Sequence, residues 1–551
     1  MFDRVEAFIT GELEGRRIPG AAIAIVRPGE STWSRGFGTA NVETGESFTP
    51  ETPFSIQSIT KTLVGTSIMQ LQEKGLLSVD DAVAKHLPGV VQNEWEEENP
   101  VLIRQLLTHT SGLPVDTAGG PPGGPRSLDE YVRLVAKTVR PPDAAIDYAN
   151  WGYLVAGMLI EALSGETWYD YITNHICEPL GMKSTSVPPR EEAAFGHYLS
   201  AVDGAQHLLG RPRWPIVPSD PAGGLISTVE DLVLFATAHL NGGRGLLSQA
   251  TTATMHAVSV PEPGGGGMAL GFRVTLSNGR RLLCHGGDGA GFTNFLGLYP
   301  DEGIAVVLTL NRAGVQAARA VIGNGVLATV AGDTPPPGDA PAGRLYAGGG
   351  VGSVSDGLYT SSFWDIELAV ETRDDITSAR PLSGLVVSDG PEPSLLLAAG
   401  EATFVGKGGM LGGFEVNVGA DGAIYGGLYP YRFVRIGDIP ATLDEPLDEG
   451  ADLTGTWRGT ITTPMGALAL SLEFADGVSV AISTPFGQDL ALEECDASAG
   501  RLWGRFTLTV PTVGEMIMHP RLEVRAGKLK GPIYAQGWWG ELPMPAQLER
   551  A

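Results

Sequence analysis

Ser55-Ile56-Gln57-Ser58-Ile59-Thr60-Lys61-Thr62-Leu63-Val64-Gly65 sets a hydroxyl and an amine three positions apart. Ile59, Leu63, Ile68 and Leu71 recur at helical spacing and Gly75 offers a stop, so the run from Ser58 to Lys74 is predicted to be a largely buried helix. Residues three apart share a helix face, which brings the Lys61 amine beside the Ser58 hydroxyl. The first turn lies near the positive end of the helix dipole, and that field, with burial, favours a neutral amine able to take the serine proton. A serine hydroxyl is a weak nucleophile until such a base stands next to it. Ser-x-x-Lys also arises by accident, so its surroundings must decide. The chain has eight lysines, and only Lys61 has a serine three positions before it.

Upstream, residues 5–14 read as a helix, Ala21 to Val26 as a strand, and Pro28-Gly29 as a turn into a second strand through Trp33 and Phe37. Downstream, Ile103 to Pro114 carries a short helix ending at Gly112, and the Gly/Pro-rich segment from Ala118 to Pro125 reads first as a surface loop, with a lid over the site as the alternative. Ile146-Asp-Tyr148-Ala-Asn150 opens an apolar helix to about Leu163, and Asp220-Pro-Ala-Gly-Gly-Leu-Ile-Ser-Thr leads into another that ends near Leu240. Strands return at Ala269 to Leu276, Arg280 to His285, Phe295 to Tyr299 and Ile304 to Leu310, before a helix from about Gln316 to Val330. A sheet is thus assembled from both ends of one domain with a helical lobe inserted, and a cleft between lobes is where a ligand belongs.

At 551 residues the chain suggests about three domains. The proline cluster from Asp333 to Gly343 marks the boundary, because clustered prolines make a semi-rigid spacer. We expect a first domain over 1–331, a linker over 332–345, and two barrel-like β-domains over 346–437 and 450–551. Those two share a weak repeat: Gly357-Leu-Tyr359 and Gly455-Thr-Trp457 each begin an alternating run, closed by Tyr431-Arg-Phe433 and Ala546-Gln-Leu548. Extra length in the second block, around Pro511 to Pro520, reads first as a longer surface hairpin, with an excursion towards the active site as the alternative.

A net charge of −26 repels polyanions, which argues against nucleic acid and acidic membrane as partners. Cys177, Cys284 and Cys495 are too few and too dispersed for a disulfide framework. The amino terminus shows no signal peptide and no stretch of about 20 apolar residues occurs, so a cytoplasmic location is expected, or a periplasmic or secreted one if a leader has been removed. Neither His-x-x-x-His nor paired Cys-x-x-Cys is present, and no nucleotide-binding glycine motif, so no metal or cofactor is expected. His109 reads as structural.

Four segments in order, Ser58-Ile-Thr-Lys61, Tyr148-Ala-Asn150, Ala222-Gly-Gly-Leu-Ile-Ser-Thr and His285-Gly-Gly287, resemble the motif set of the penicillin-recognising serine hydrolases. Leu106-Leu-Thr-His-Thr-Ser-Gly-Leu-Pro114 and Glu178-Pro-Leu-Gly-Met182 stand where that group has them. The resemblance covers roughly residues 1–331 of a group that includes class C β-lactamases, DD-peptidases, esterases and D-aminopeptidases. It implies an α+β β-lactamase/transpeptidase-like catalytic domain, an antiparallel sheet with helices and a helical lobe. It implies Ser58 as acylated nucleophile, Lys61 as base, Tyr148 as proton shuttle, His285 as the third-motif residue and Asn150 as holder of the substrate amide. The backbone N–H groups of Ser58 and Asp288 would form the oxyanion hole, and Gly287 and Asp288 join Asn150 as substrate-binding residues. Most β-lactamases and DD-peptidases of the group have Lys-Thr-Gly where this chain has His285-Gly-Gly, which makes a poor carboxylate pocket. His-x-Gly with two appended β-domains is similar to D-aminopeptidase architecture, and Asp288 is a candidate partner for a substrate ammonium. The implied activity is hydrolysis of small peptides or amides, with release of an N-terminal D-residue. The alternatives are an esterase or weak β-lactamase/DD-peptidase of the same fold and, from another class, a non-catalytic binding or sensor protein. The expected partner is a small peptide, amide or ester; a homodimer is left open.

Overall fold

The computed structural model describes residues 1–333 apart from 114–126, 145, 147, 188–192, 200–205, 211–219, 262–265, 278, 290 and 313–314. Beyond these it describes the strands between 357 and 437, residues 448 and 451–454, and most of 455–551. The Gly/Pro-rich segment at 118–125 and the proline linker lie outside the described residues.

Alternation along Gly20–Val26 explains the first domain. Ala21, Ile23 and Ile25 enter one core and Ala22 and Ala24 the other, as a strand buried on both faces requires. That strand pairs on one side with Trp33–Asn41 and on the other with Ile304–Leu310, in the register Ala21↔Leu310 to Val26↔Ala305. The amino-terminal hairpin therefore docks onto the carboxy-terminal strands and completes a nine-stranded antiparallel sheet. Helices Phe2–Gly15 and Gln316–Val330 cover one face, where Val5, Ile9, Ile322 and Val326 meet Ile23 and Val306. On the other face Leu63, Val64 and Ile68 of helix Thr60–Glu73 share a core with Leu296, Val307 and helix Asn150–Ser164.

The expected helix at Ser58 divides into a 3-10 turn, Gln57–Ile59, and the helix proper, Thr60–Glu73. The predicted strand at Ala269 to Leu276 begins later, at Arg273, and the one at Arg280 runs on through His285 to Gly289. Helix Val229–Leu240 starts where the Thr228 side chain accepts the Asp231 N–H, an ordinary N-cap.

Past the linker, eight strands from Gly357–Ser361 to Tyr431–Gly437 close into a barrel, with Leu358 opposite Gly437. The second block forms a nine-stranded antiparallel sheet in which the first and last strands again pair, Trp457 opposite Arg550. Its order does not close, because Gly487–Ala491 and Glu493–Ser498 form its two edges. Trp457, Leu472, Leu502, Leu522 and Leu548 fill its core. The extra length near Pro511 is a hairpin: Arg501–Val510 turns back into Gly514–Arg525 with Val510 opposite Gly514. Among the described residues no helix is long and apolar enough to cross a membrane.

Candidate active site

Ser58 owes its position to contacts on both sides of the turn that carries it. Phe54–Ser55 pairs with Ile226–Ser227, and Ile56 N–H donates to Leu225 O at 3.1 Å. Asn294 on the sheet donates to Ser55 O at 3.0 Å and accepts from Thr309 Oγ1 at 2.7 Å. Gln57, directly before the serine, is held at φ +51°, a left-handed conformation unusual for a residue with a side chain. Its Nε2 donates to Ser55 Oγ at 2.6 Å.

Lys61 is fully buried. Its Nζ donates to Asn150 Oδ1 at 2.6 Å, to Ala222 O at 2.6 Å and to Ser58 Oγ at 3.0 Å. Three of the four sequence segments thus converge on one nitrogen. The same nitrogen lies 4.9 Å from the centre of the Tyr148 ring and 5.4 Å from that of Tyr153. The Ala222 carbonyl is presented by a tight turn: Asp220 Oδ1 accepts Ala222 N–H at 2.7 Å, and Asp220 O accepts Gly224 N–H at 2.7 Å. Burial raises the Asp220 carboxyl above its ordinary range, opposed by the nearby Lys61 amine and the Ala222 N–H.

The fourth segment enters on strand Arg280–Gly289. Strand Arg273–Ser277 accompanies it only as far as Cys284, so the His285-Gly-Gly stretch turns its outer edge toward the Ser58 turn. A β-carbon at Gly287 would stand 2.2 Å from Ile56 O and 3.1 Å from the Gln57 β-carbon, and so the strand can come this close only with glycine there. His285 is buried, and its Nδ1–H donates to Gly286 O at 2.7 Å. Burial, and then the Lys61 amine, push its pKa down to about 3, so the ring is neutral. Asp288 meets Arg319, whose Nη1 donates to Oδ2 at 2.5 Å from inside helix Gln316–Val330. Its other oxygen, Oδ1, is buried without a partner among the described residues.

Of the seven residues singled out in the sequence, Ser58, Lys61, Tyr148, Asn150, His285 and Gly287 gather around the Ser58 turn, whereas the Asp288 side chain, alternating with Gly287 along the strand, points to Arg319 on the helix that covers the other face of the sheet. Sequence reading missed the supporting set: Gln57, Asp220, Asn294 and Arg319, with His109 given no part in it. Gln57, Asp220 and His109 stood inside quoted segments; Asn294 and Arg319 carry no local signal, since only the tertiary fold delivers them. Among the described residues no cluster of histidine, cysteine and carboxylate side chains could hold a metal ion.

An antiparallel sheet between two helical layers, with a serine and a lysine at the seam of a helical lobe, defines a β-lactamase-like α+β domain, a fold whose members are serine hydrolases. Residues 5–329 match the family described as Beta-lactamase, and the chain belongs to that family. It is 26% identical to Protein flp of Staphylococcus aureus over 317 residues, which are 56% of this chain and 62% of that protein. The chain therefore spans less than two thirds of the length of that relative. It is 29% identical to Penicillin-binding protein 4 of Amycolatopsis lactamdurans over 315 residues, 53% of this chain and 81% of the other. Among solved structures, the octameric penicillin-binding protein homologue from Pyrococcus abyssi is similar, at 25% identity and a TM-score of 0.56. That likeness covers 79% of this chain and 100% of the other, and so runs past the residues matched by the family.

Proposed function

We propose that this chain is a serine hydrolase that cleaves amide bonds of small peptides or amides through an acyl-enzyme, acting as an aminopeptidase on an N-terminal D-residue. The observation that carries the chemistry is the Lys61 nitrogen. With N–H bonds directed at Asn150 Oδ1 and Ala222 O, both 2.6 Å away, a neutral amine has its lone pair left for the Ser58 hydroxyl at 3.0 Å. Lys61 takes the Ser58 proton as Oγ attacks the carbonyl. The resulting oxyanion sits between the backbone N–H groups of Ser58 and Asp288, each such donor being worth about 100-fold to 1000-fold in rate. Tyr148, beside Lys61, passes a proton to the leaving amine and then takes one from the water that hydrolyses the ester. Neutral His285 adds no positive charge for a substrate carboxylate.

The aminopeptidase reading rests on the likeness of His285-Gly-Gly and the appended β-domains to D-aminopeptidase architecture; the Asp288 carboxylate, turned to Arg319 on the other face of the sheet, lends it no ammonium partner. The proposed organisation is a catalytic domain over 1–331, a linker over 332–345 and β-domains over 346–437 and 450–551, the first closed into a barrel and the second left open. An octameric relative makes self-association an expectation that light scattering of the full chain would test.

The deciding assay is release of p-nitroaniline from D-alanine p-nitroanilide, beside its N-acetylated form and p-nitrophenyl butyrate, for wild type and Ser58→Ala. Cleavage of the free-amine D-amide alone among the two amides, lost in Ser58→Ala, supports the full reading. Turnover of the ester alone replaces aminopeptidase with esterase, and no turnover in any arm leaves a binding protein.

A further inference from the structure

Two destabilising features meet at His109. Its φ is +60°, in the left-handed region that a β-carbon disfavours, and its Nε2–H is buried with no hydrogen-bond partner among the described residues. A fold retains such a residue where the surroundings over-determine it, and strained, under-satisfied groups gather at functional sites.

The surroundings of His109 belong to the catalytic segment Tyr148-Ala-Asn150. The imidazole lies against the Tyr148 ring, centroids 4.2 Å apart, and against Tyr153 at 5.4 Å. Tyr153 is itself fixed by its hydroxyl, which donates to Leu107 O at 2.9 Å. Nδ1 of His109 accepts the Ala149 N–H at 3.2 Å, which puts the ring proton on Nε2. Burial, together with the Lys61 and His285 side chains nearby, keeps the ring neutral. Neutrality is what the Ala149 contact needs, because a protonated ring offers a donor there instead of an acceptor.

One side chain thus holds Tyr148 by its flat face and, through the peptide at Ala149, the start of the helix that aims Asn150 at Lys61. A phenylalanine could supply the face and an asparagine the acceptor; histidine supplies both. We propose that His109 is a positioning residue for Tyr148 and Asn150 in the acylation of Ser58. The proposal rests on the hydrolase reading above.

The test measures the rate of Ser58 labelling by a fluorophosphonate across pH, and kcat and KM for p-nitrophenyl butyrate per labelled site, in the full chain. His109→Gly accepts the backbone conformation but removes both ring and acceptor. His109→Asn also tolerates positive φ, and its Oδ1 stands where Nδ1 stood. Loss of orientation at an acid–base group costs about 100-fold, so His109→Gly is expected to lose that much in labelling rate and kcat, with KM changed by less than about threefold. Its pH profile shifts by about half a unit or more, since the Tyr148 and Lys61 environment changes. His109→Asn recovers at least about tenfold of the loss by restoring the Ala149 contact. Labelling and kcat per site within about threefold of wild type in His109→Gly, or an unmoved pH profile beside a lowered melting temperature, overturn the positioning role. Ser58→Ala separates the two levels. Labelling or turnover that survives in Ser58→Ala overturns the hydrolase reading and this proposal together, whereas a dead Ser58→Ala beside an unaffected His109→Gly overturns this proposal alone.

Discussion

Lys61 Nζ stands 2.6 Å from Asn150 Oδ1, nearer than to the Ser58 hydroxyl at 3.0 Å. The asparagine therefore does more than face a substrate, for it orients the amine proposed as the base. An amide can do this without adding charge, and a carboxylate cannot. Asn150→Asp would place an anion against the amine, favour the ammonium form and leave less free base at neutral pH. We expect the acid limb of kcat/KM for p-nitrophenyl butyrate to move up by about 1 to 3 pH units. At fixed pH on that limb the rate falls about tenfold per unit. A pH–rate profile of the variant checks this, and an unmoved acid limb would separate Asn150 from the base.

The glycine between the nucleophile turn and the third-motif strand leads to a second expectation. A β-carbon at Gly287 meets the backbone Ile56 O at 2.2 Å, so the strand or the Ser58 turn, the two walls of the proposed oxyanion hole, must shift. Gly287→Ala is expected to lower kcat by about 100-fold, the scale of losing one oxyanion donor. Gly11 is the matched control: it lies in helix Phe2–Gly15 with open space around a β-carbon. Gly11→Ala should leave kcat alone and stabilise the chain by about 0.5 to 1 kcal/mol. Steady-state kinetics and thermal melts of the two variants are the comparison.

Much of this site was legible because its chemistry is written in short local segments. Ser58 and Lys61 are one helical turn apart, so spacing alone predicts their contact, and Tyr148 and Asn150 flank a helix start that apolar periodicity locates. The strand Gly20–Val26 could be read as a strand from its apolar run, yet not its pairing with Ile304–Leu310, which joins opposite ends of the domain. The same limit hid Asn294, which reaches Ser55 across 239 positions. Arg319 was illegible for a different reason: an arginine in an apolar helix ordinarily faces water, and nothing nearby in sequence announces its burial against Asp288. The second β unit was foreseen by alternation and turn signals, while its open order depends on which neighbours fail to pair, and alternation does not encode that.

Arg319 and Asp288 also set a stability prediction. Arg319 is 1% exposed and Asp288 27%, so removing the carboxylate charge leaves a buried cation uncompensated, whereas removing the arginine leaves an anion that water can partly reach. Breaking a buried pair from one side costs about 3 to 5 kcal/mol. Asp288→Asn is expected near that range and Arg319→Met below it. Asp288→Asn with Arg319→Met should cost less than the sum of the single variants by at least about 1 kcal/mol, the size of coupling found between contacting groups. Urea unfolding of the four proteins closes this cycle, and strict additivity would mean that the two side chains do not support one another.

Two histidines, His239 and His256, lie in the core behind helix Thr60–Glu73. His239 Nδ1 and His256 Nε2 are 3.0 Å apart, and His239 Nε2 is 3.3 Å from Thr66 Oγ1 on helix Thr60–Glu73. Burial lowers His239 well below its ordinary range and brings His256 to about 4, with Arg281 adding to the shift at His256. The sign follows from which state binds protons. Below the unfolded value of about 6.5 the unfolded chain takes up a proton that the folded chain refuses, so stability falls as the pH drops from there toward the folded value and is constant above. His256 alone contributes a slope of about 1.4 kcal/mol per pH unit in that window, between about 6.5 and 4. His256→Gln keeps a hydrogen-bonding side chain but cannot titrate, and should flatten the acid limb of a stability–pH curve by about that slope while leaving catalysis intact. Chemical denaturation at a series of pH values measures it; an unchanged slope in the variant would show that acid sensitivity arises elsewhere, for example at His109 and His285 beside Lys61, whose rings are also held neutral by burial.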